Sequence, residues 1–200
     1  MTEATPNFEL PAFDHLAIAA RTLDEGAAWI EERLGIAPEP GGAHPQLATH
    51  NRLLSLGPGE YLEIIAADPA GGTPLWPRWF GLDTFTGPPR LVSWVVRSAG
   101  ALTQSGTTAR DLSRGALRWR FSLPDDGQPL AQGVIPALID WQGSPHPSTR
   151  LTDHGLRLNA LELSFPDPLA LPLADPRIRL TQGPARLQAR LATPRGEVLL

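Results

Sequence analysis

Thr49–Ala66 reads THNRLLSLGPGEYLEIIA, two apolar runs on either side of a Gly57-Pro58-Gly59 turn. The spacing predicts a β-hairpin, with His50 at its entry and Glu63 inside the second strand. Along that strand Tyr61, Glu63 and Ile65 share one face, and Leu62 and Ile64 share the other. A carboxylate between Leu62 and Ile64 must be exposed, paired or bound to a cation. Burying it alone costs several kcal/mol or more.

Upstream, Phe13–Ala20 (FDHLAIAA) reads as a strand with Leu16 and Ile18 on one face and Phe13, His15, Ala17 and Ala19 on the other. The ordinary role for His15 is a strand histidine bonded to a backbone carbonyl. Small alanines beside it leave room for a ligand. Thr22 and Glu25 form a capping box, and Leu23, Ala27, Ile30 and Leu34 follow at helical spacing before Gly35, so a helix is expected over that span. Its apolar stripe should cover the Leu62/Ile64 face, leaving His15 and Glu63 on the opposite face of one sheet. Pro38–Ala48 reads as a Gly/Pro-rich loop, with a short strand expected near Gln46–Thr49.

Downstream, Asp68–Pro89 holds Trp76, Trp79, Phe80 and Phe85 and reads as a packed flap or a ligand cover. Arg90–Arg97, Leu117–Leu123 and Val134–Trp141 read as strands, with a Pro124–Gly127 turn and a weak helix at Ser98–Ser105. The order strand, helix, strand, turn, strand thus occurs twice, as a degenerate internal repeat. The expected fold is α+β. Two paired βαβββ modules form a cup-shaped mixed sheet, followed by a β-rich C-terminal extension. The divisions are an arm at 1–11, a first module at 12–67, an aromatic linker at 68–89, a second module at 90–150 and the extension at 151–200.

Composition narrows the functions. The chain of 200 residues carries a net charge of −4, and its 17 basic residues are scattered arginines, which argues against a nucleic-acid surface. With no cysteine there can be no disulfide, thiolate nucleophile or thiolate metal site. No signal peptide, lipidation motif or apolar run near the ~20 residues needed to span a bilayer is present, so a cytoplasmic protein without membrane attachment is expected.

Phe13-Asp14-His15-Leu16, Arg33-Leu34-Gly35, Pro40-Gly41-Gly42, Thr49-His50-Asn51, Tyr61-Leu62-Glu63, Arg118-Trp119 and Ile139-Asp140-Trp141 with His146-Pro147, in that order, resemble the glyoxalase-like group of the vicinal oxygen chelate superfamily. The resemblance covers roughly residues 12–150. It implies a cup holding a divalent metal (Fe, Mn, Ni or Zn) that chelates neighbouring substrate oxygens. His15 and Glu63 match the first module's ligand positions. The second module offers Ser93 and Trp94 where a ligand is expected, then Asp140 and His146. The metal set implied is therefore His15 and Glu63 with Asp140, His146 or His50.

Two functions of different class follow. In the first, the chain is a lyase, isomerase or dioxygenase, with Glu63 as ligand or base, His50 as a catalytic or substrate-positioning group, and Arg118, Trp119, Trp94 and Trp141 binding substrate. In the second, the cup is a metal-free binding or sequestering site for a small molecule. A third reading has the cup filled by side chains and the protein acting as a homodimer.

Overall fold

A computed structural model describes residues 11–200 apart from 99 and 101, so the expected arm at 1–11 lies almost wholly outside the described residues. The first module comprises β1 (Ala12–Ala19), α1 (Leu23–Leu34), β2 (Glu39–His44), β3 (Thr49–Gly57) and β4 (Glu60–Ala67). The second comprises β5 (Arg90–Arg97), β6 (Thr107–Arg114), β7 (Leu117–Pro124) and β8 (Ala137–Asp140). Together they form an eight-stranded curled sheet of order β2-β3-β4-β1-β5-β8-β7-β6. β1 runs parallel to β4 and β5 parallel to β8, and β1 meets β5 antiparallel in the middle. The two halves therefore repeat one strand order about the β1–β5 seam.

Local chemistry explains the first half. Thr22 caps α1 by accepting from the Glu25 N–H at 3.2 Å, and Gly35 closes it with φ +70°. Ile30 and Leu34 then bury against Leu16, Ile18, Leu62 and Ile64 on the outer face of the sheet. Each fully buried Leu or Ile there contributes roughly 1.5–3 kcal/mol. The hairpin β3–β4 forms as expected, with Leu53 opposite Glu63.

Four local expectations are corrected. The strand placed near Gln46–Thr49 lies earlier, at Glu39–His44, and Pro45–Leu47 is a single 3₁₀ turn. Gly41 and Gly42 look like loop residues but sit inside β2, where their missing side chains leave room for Asn51 and Arg114. The helix at Ser98–Ser105 is absent from the described residues there, and the strand β6, which the sequence did not announce, follows. The Val134–Trp141 strand shortens to β8, because Leu130–Gly133 winds as a 3₁₀ turn capped by Val134.

The C-terminal region forms a second sheet of order β10-β9-β11-β12, from β9 (Arg157–Phe165), β10 (Ile178–Gln182), β11 (Arg186–Thr193) and β12 (Gly196–Leu199). It covers the outer face where α1 has no counterpart. Leu158, Leu161, Leu163, Ala189 and Leu191 join Trp94, Val96 and Leu138 in the same buried cluster. An uncovered Trp94/Val96/Leu138 face would expose a large apolar patch, so this half of the fold needs the extra sheet. No helix among the described residues is long and apolar enough to cross a membrane.

Candidate functional site

The inner face of the curled sheet holds the candidate site. Strand alternation decides what reaches it. From β7, Leu117, Trp119, Phe121 and Leu123 turn inward; from β5 and β8 come Val95, Ala137 and Ile139. The first module supplies His15, Tyr61 and Glu63, with His44 from β2 and Asn51 from β3. Trp79 and Phe80 of the 68–89 segment fold in over the edge, and both are buried. The resulting cavity leaves about 30 Å³ free, and Arg114 and Trp141 complete its wall. That is room for about two waters, well below ordinary ligand cavities of roughly 300–1,000 Å³, so an organic ligand requires the lining side chains to move apart.

Asp14 organises the polar side. Pairing of β1 with β5 shifts register between Phe13 and His15, and this bulge places Asp14 in the interior with no exposure. Its Oδ1 accepts from His15 Nδ1 at 2.7 Å. Its Oδ2 accepts from Trp141 Nε1 at 3.0 Å, His146 Nε2 at 3.2 Å and Arg97 Nη1 at 3.4 Å. Burial alone would raise its pKa, but the hydrogen bonds from His146 and His15, with their charges when protonated, outweigh burial and hold it well below the usual carboxylate range. An ionised Asp14 requires the proton of neutral His15 to sit on Nδ1. The bare Nε2 then faces Glu63 Oε2 across 3.7 Å. Tyr61 stacks on the His15 ring at 4.4 Å between centroids and fixes its plane.

Glu63 is held from the other side. Its Oε1 accepts from Asn51 Nδ2 at 2.6 Å, while Asn51 Oδ1 accepts from Arg114 Nη1 at 3.4 Å. Burial pushes the Glu63 pKa up; a protonated His15 would oppose this, and the Asn51 hydrogen bond does. His44 completes the chain: its Nδ1 lies 3.0 Å from Thr49 Oγ1 and its Nε2 3.4 Å from Asn51 Nδ2. Burial, then the Arg114 charge, lowers the His44 pKa to about 3, so this imidazole is neutral and orients Asn51.

Of the residues expected at the site, His15, Glu63, Trp119 and Trp141 line the cavity. The others do not. Trp94 lies in the outer core, its Nε1 donating to the Val134 carbonyl at 3.0 Å, because it alternates with inward Val95. Arg118 is exposed beside inward Trp119 and donates to the Gly115 and Leu117 carbonyls at the hairpin tip. Asp140 follows inward Ile139 and accepts from the Gln142 N–H at 2.9 Å. His50 precedes inward Asn51 and does not line the cavity. His146 turns its Nε2 to Asp14 rather than to the Glu63 carboxylate.

Asp14, His44, Asn51 and Arg114 were not singled out from sequence. Counting back from the Gly57-Pro58-Gly59 turn would have found Asn51, since Leu53 opposite Glu63 fixes which β3 residues share its face. Asp14 carried no such signal, because its orientation comes from the bulge.

The donor set bears on the expected metal. His15 and Glu63 are adjacent, but the equivalent central strands of the second module present Val95, Ala137 and Ile139. Among the described residues no group of three or more His, Cys, Asp or Glu side chains is placed to hold a metal ion. The side chains present do not fit a three- or four-donor metal site.

A curled sheet of two βαβββ-type halves around an inner cup is the architecture of the vicinal oxygen chelate superfamily. Within it the chain belongs to the glyoxalase-like domain family, whose sequence model matches residues 13–174. A hypothetical protein from Staphylococcus aureus is similar in fold, at 12% identity and TM-score 0.53, covering 79% of this chain and 70% of that one. Methylmalonyl-CoA epimerase from Mycobacterium tuberculosis aligns at 19% identity and TM-score 0.40, covering 64% and 85% of the two chains. A Streptomyces coelicolor methylmalonyl-CoA epimerase, in complex with 2-nitronate-propionyl-CoA, aligns at 16% identity and TM-score 0.42, covering 68% and 100%. No curated protein matches the sequence.

Proposed function

We propose that the chain binds a small carbonyl compound in the cup and moves a proton on it, an isomerase-type reaction with His15 as base and Glu63 as acid. The observation that carries this is the pairing of environments. Ionised Asp14 turns the lone pair of His15 Nε2 toward Glu63, and burial drives Glu63 toward its protonated form, 3.7 Å away. A ligand with its carbonyl oxygen at Glu63 and its acidic C–H at His15 would lose that proton to Nε2. The enolate oxygen would accept the Glu63 hydrogen bond, and return of the proton to carbon would complete the isomerisation. Aromatic walls from Trp119, Trp79 and Phe121 would keep water out.

The test is solvent-deuterium exchange into 2-oxo acids and aryl ketones, followed by NMR on wild type, His15→Ala and Glu63→Gln. Exchange by the wild type that falls about 10²–10⁴-fold in either variant supports proton transfer. Ligand binding without exchange would instead mark a binding or sequestering protein.

One observation favours a metal reading beside this one: Asp14 supports His15 from Nδ1, as carboxylates do behind metal-ligating imidazoles. Only His15 and Glu63 would serve as donors, and no step above passes through a metal. Mass-spectrometric metal content after loading with Mn²⁺, Fe²⁺, Ni²⁺ or Zn²⁺ and dialysis decides it. Stoichiometric retention lost in both His15→Ala and Glu63→Ala supports the metal; no retention removes it.

A further inference from the structure

We propose that the cup is selective for a small aryl carboxylate and that Arg114, seated against a gap left by Gly41 and Gly42, receives its charge. The proposal rests on the reading of the cup as a small-molecule site and names the class of molecule.

Arg114 is the last residue of β6 and shares the inward face with Leu112. Its guanidinium is half-buried in the cavity wall, and its Nη1 donates to Asn51 Oδ1 at 3.4 Å. Among the described residues it makes no ion pair, whereas the arginines nearest the other charged clusters, Arg97 and Arg177, are each matched to a carboxylate. Burial and then the like charge of Arg150 lower its pKa, against the opposing charge of Glu63. A guanidinium in the cavity wall without an ion-pair partner suits an incoming anion.

The backbone of β2 is shaped for this placement. A Cβ on Gly42 would come within 2.9 Å of Arg114 Cδ and 3.0 Å of its Nη1, and Gly42 has φ +152°. A Cβ on Gly41 would run into the Asn51 side chain that bridges Arg114 to Glu63. Any larger residue at these positions pushes the guanidinium or its bridge out of line. The neighbouring wall supplies a further unused donor: the Trp79 Nε1 is buried with no partner among the described residues. A ligand oxygen would satisfy it.

A carboxylate fits better than a phosphate dianion. The guanidinium matches it in a planar, two-point contact, and an aromatic-lined cavity desolvates one negative charge at lower cost than two. Trp119 and Phe121 beside Arg114 provide faces for an aryl body.

The experiment is a tryptophan-fluorescence titration with phenylacetate and its neutral isostere phenylacetamide, on wild type, Arg114→Gln and Gly42→Ala. Circular dichroism melts of each variant check that it is folded. Wild type should bind the acid about 10–100-fold more tightly than the amide. Arg114→Gln should erase that preference, and Gly42→Ala should weaken it with the charge still present. Equal binding of acid and amide by the wild type, or a preference that survives Arg114→Gln, overturns the anion proposal and leaves the cup reading standing. Binding of neither probe overturns both.

Discussion

Replacing Asp14 by Asn tests the centre of the site without needing a ligand. The amide is nearly isosteric, so the core is not hollowed. Asp14 accepts four hydrogen bonds, from His15, His146, Trp141 and Arg97, at 2.7–3.4 Å. Those to an ionised acceptor contribute about 1.5–3 kcal/mol each, against about 0.5–1.5 for neutral partners. An amide oxygen at the Oδ2 position keeps three donors, while its NH₂ meets His15 Nδ1. Allowing for relief of a buried charge, the net loss is about 2–4 kcal/mol. With a urea slope of about 1–3 kcal/mol/M, the midpoint falls by about 1 M or more.

The same change should move the His15 proton. Facing an NH₂ donor, Nδ1 becomes the acceptor and Nε2 carries the hydrogen, which ¹⁵N shifts of the imidazole read directly. Asp14 has its pKa depressed in the folded state, so its contribution is present above the unfolded value of about 3.9 and is lost as pH falls through the folded value. The stability gap between wild type and Asp14→Asn should therefore narrow on acidification below about pH 4. A loss under about 0.5 kcal/mol at pH 7, or an unchanged His15 tautomer, would refute the assignment of Asp14 as the hub.

Glu63→Gln should behave oppositely. A carboxyl whose folded pKa is raised costs stability as pH rises above its unfolded value of about 4.3, so the variant should match wild type near pH 4 and exceed it at pH 7 in urea melts. Leu161→Ala, at a fully buried position where the C-terminal sheet covers the outer face, should cost about 2–5 kcal/mol in the same melts. A cost below about 1 kcal/mol would mean that this sheet is not part of the main core.

Much of the first module was legible because each signal there is local. The Thr22 cap, the Gly35 terminus, the alternation through Leu62-Glu63-Ile64 and the turn at Pro58 all specify geometry within a few residues. The second module was harder because its helix has no counterpart in the described residues, and the surface it would cover is buried by strands from beyond residue 156. Long-range replacement of one element by another leaves no periodicity to read. Within the site, the residues that fall outside the cavity share one cause. His50, Trp94, Arg118 and Asp140 each neighbour an inward residue in sequence, Asn51, Val95, Trp119 and Ile139, and a strand sends neighbours to opposite faces. Residue type pointed to chemistry, but parity decides which type reaches the cup.

That parity also explains why the site is one-sided. The repeat places β1 and β4 against β5 and β8 about a common seam, so each half offers equivalent inward positions. The first half fills them with His15 and Glu63, the second with Val95, Ala137 and Ile139. On the proposed reading one wall would hold and move a proton, while the other would only pack against a ligand body. The second half returns charge from its edge strand instead, through Arg114, which reaches Glu63 by way of Asn51. A ligand spanning the cup would meet the acid–base pair on one side, an apolar wall on the other and a cation at the rim. On that reading the asymmetry of the duplicated sheet, more than any single residue, would let the cup discriminate between ligands.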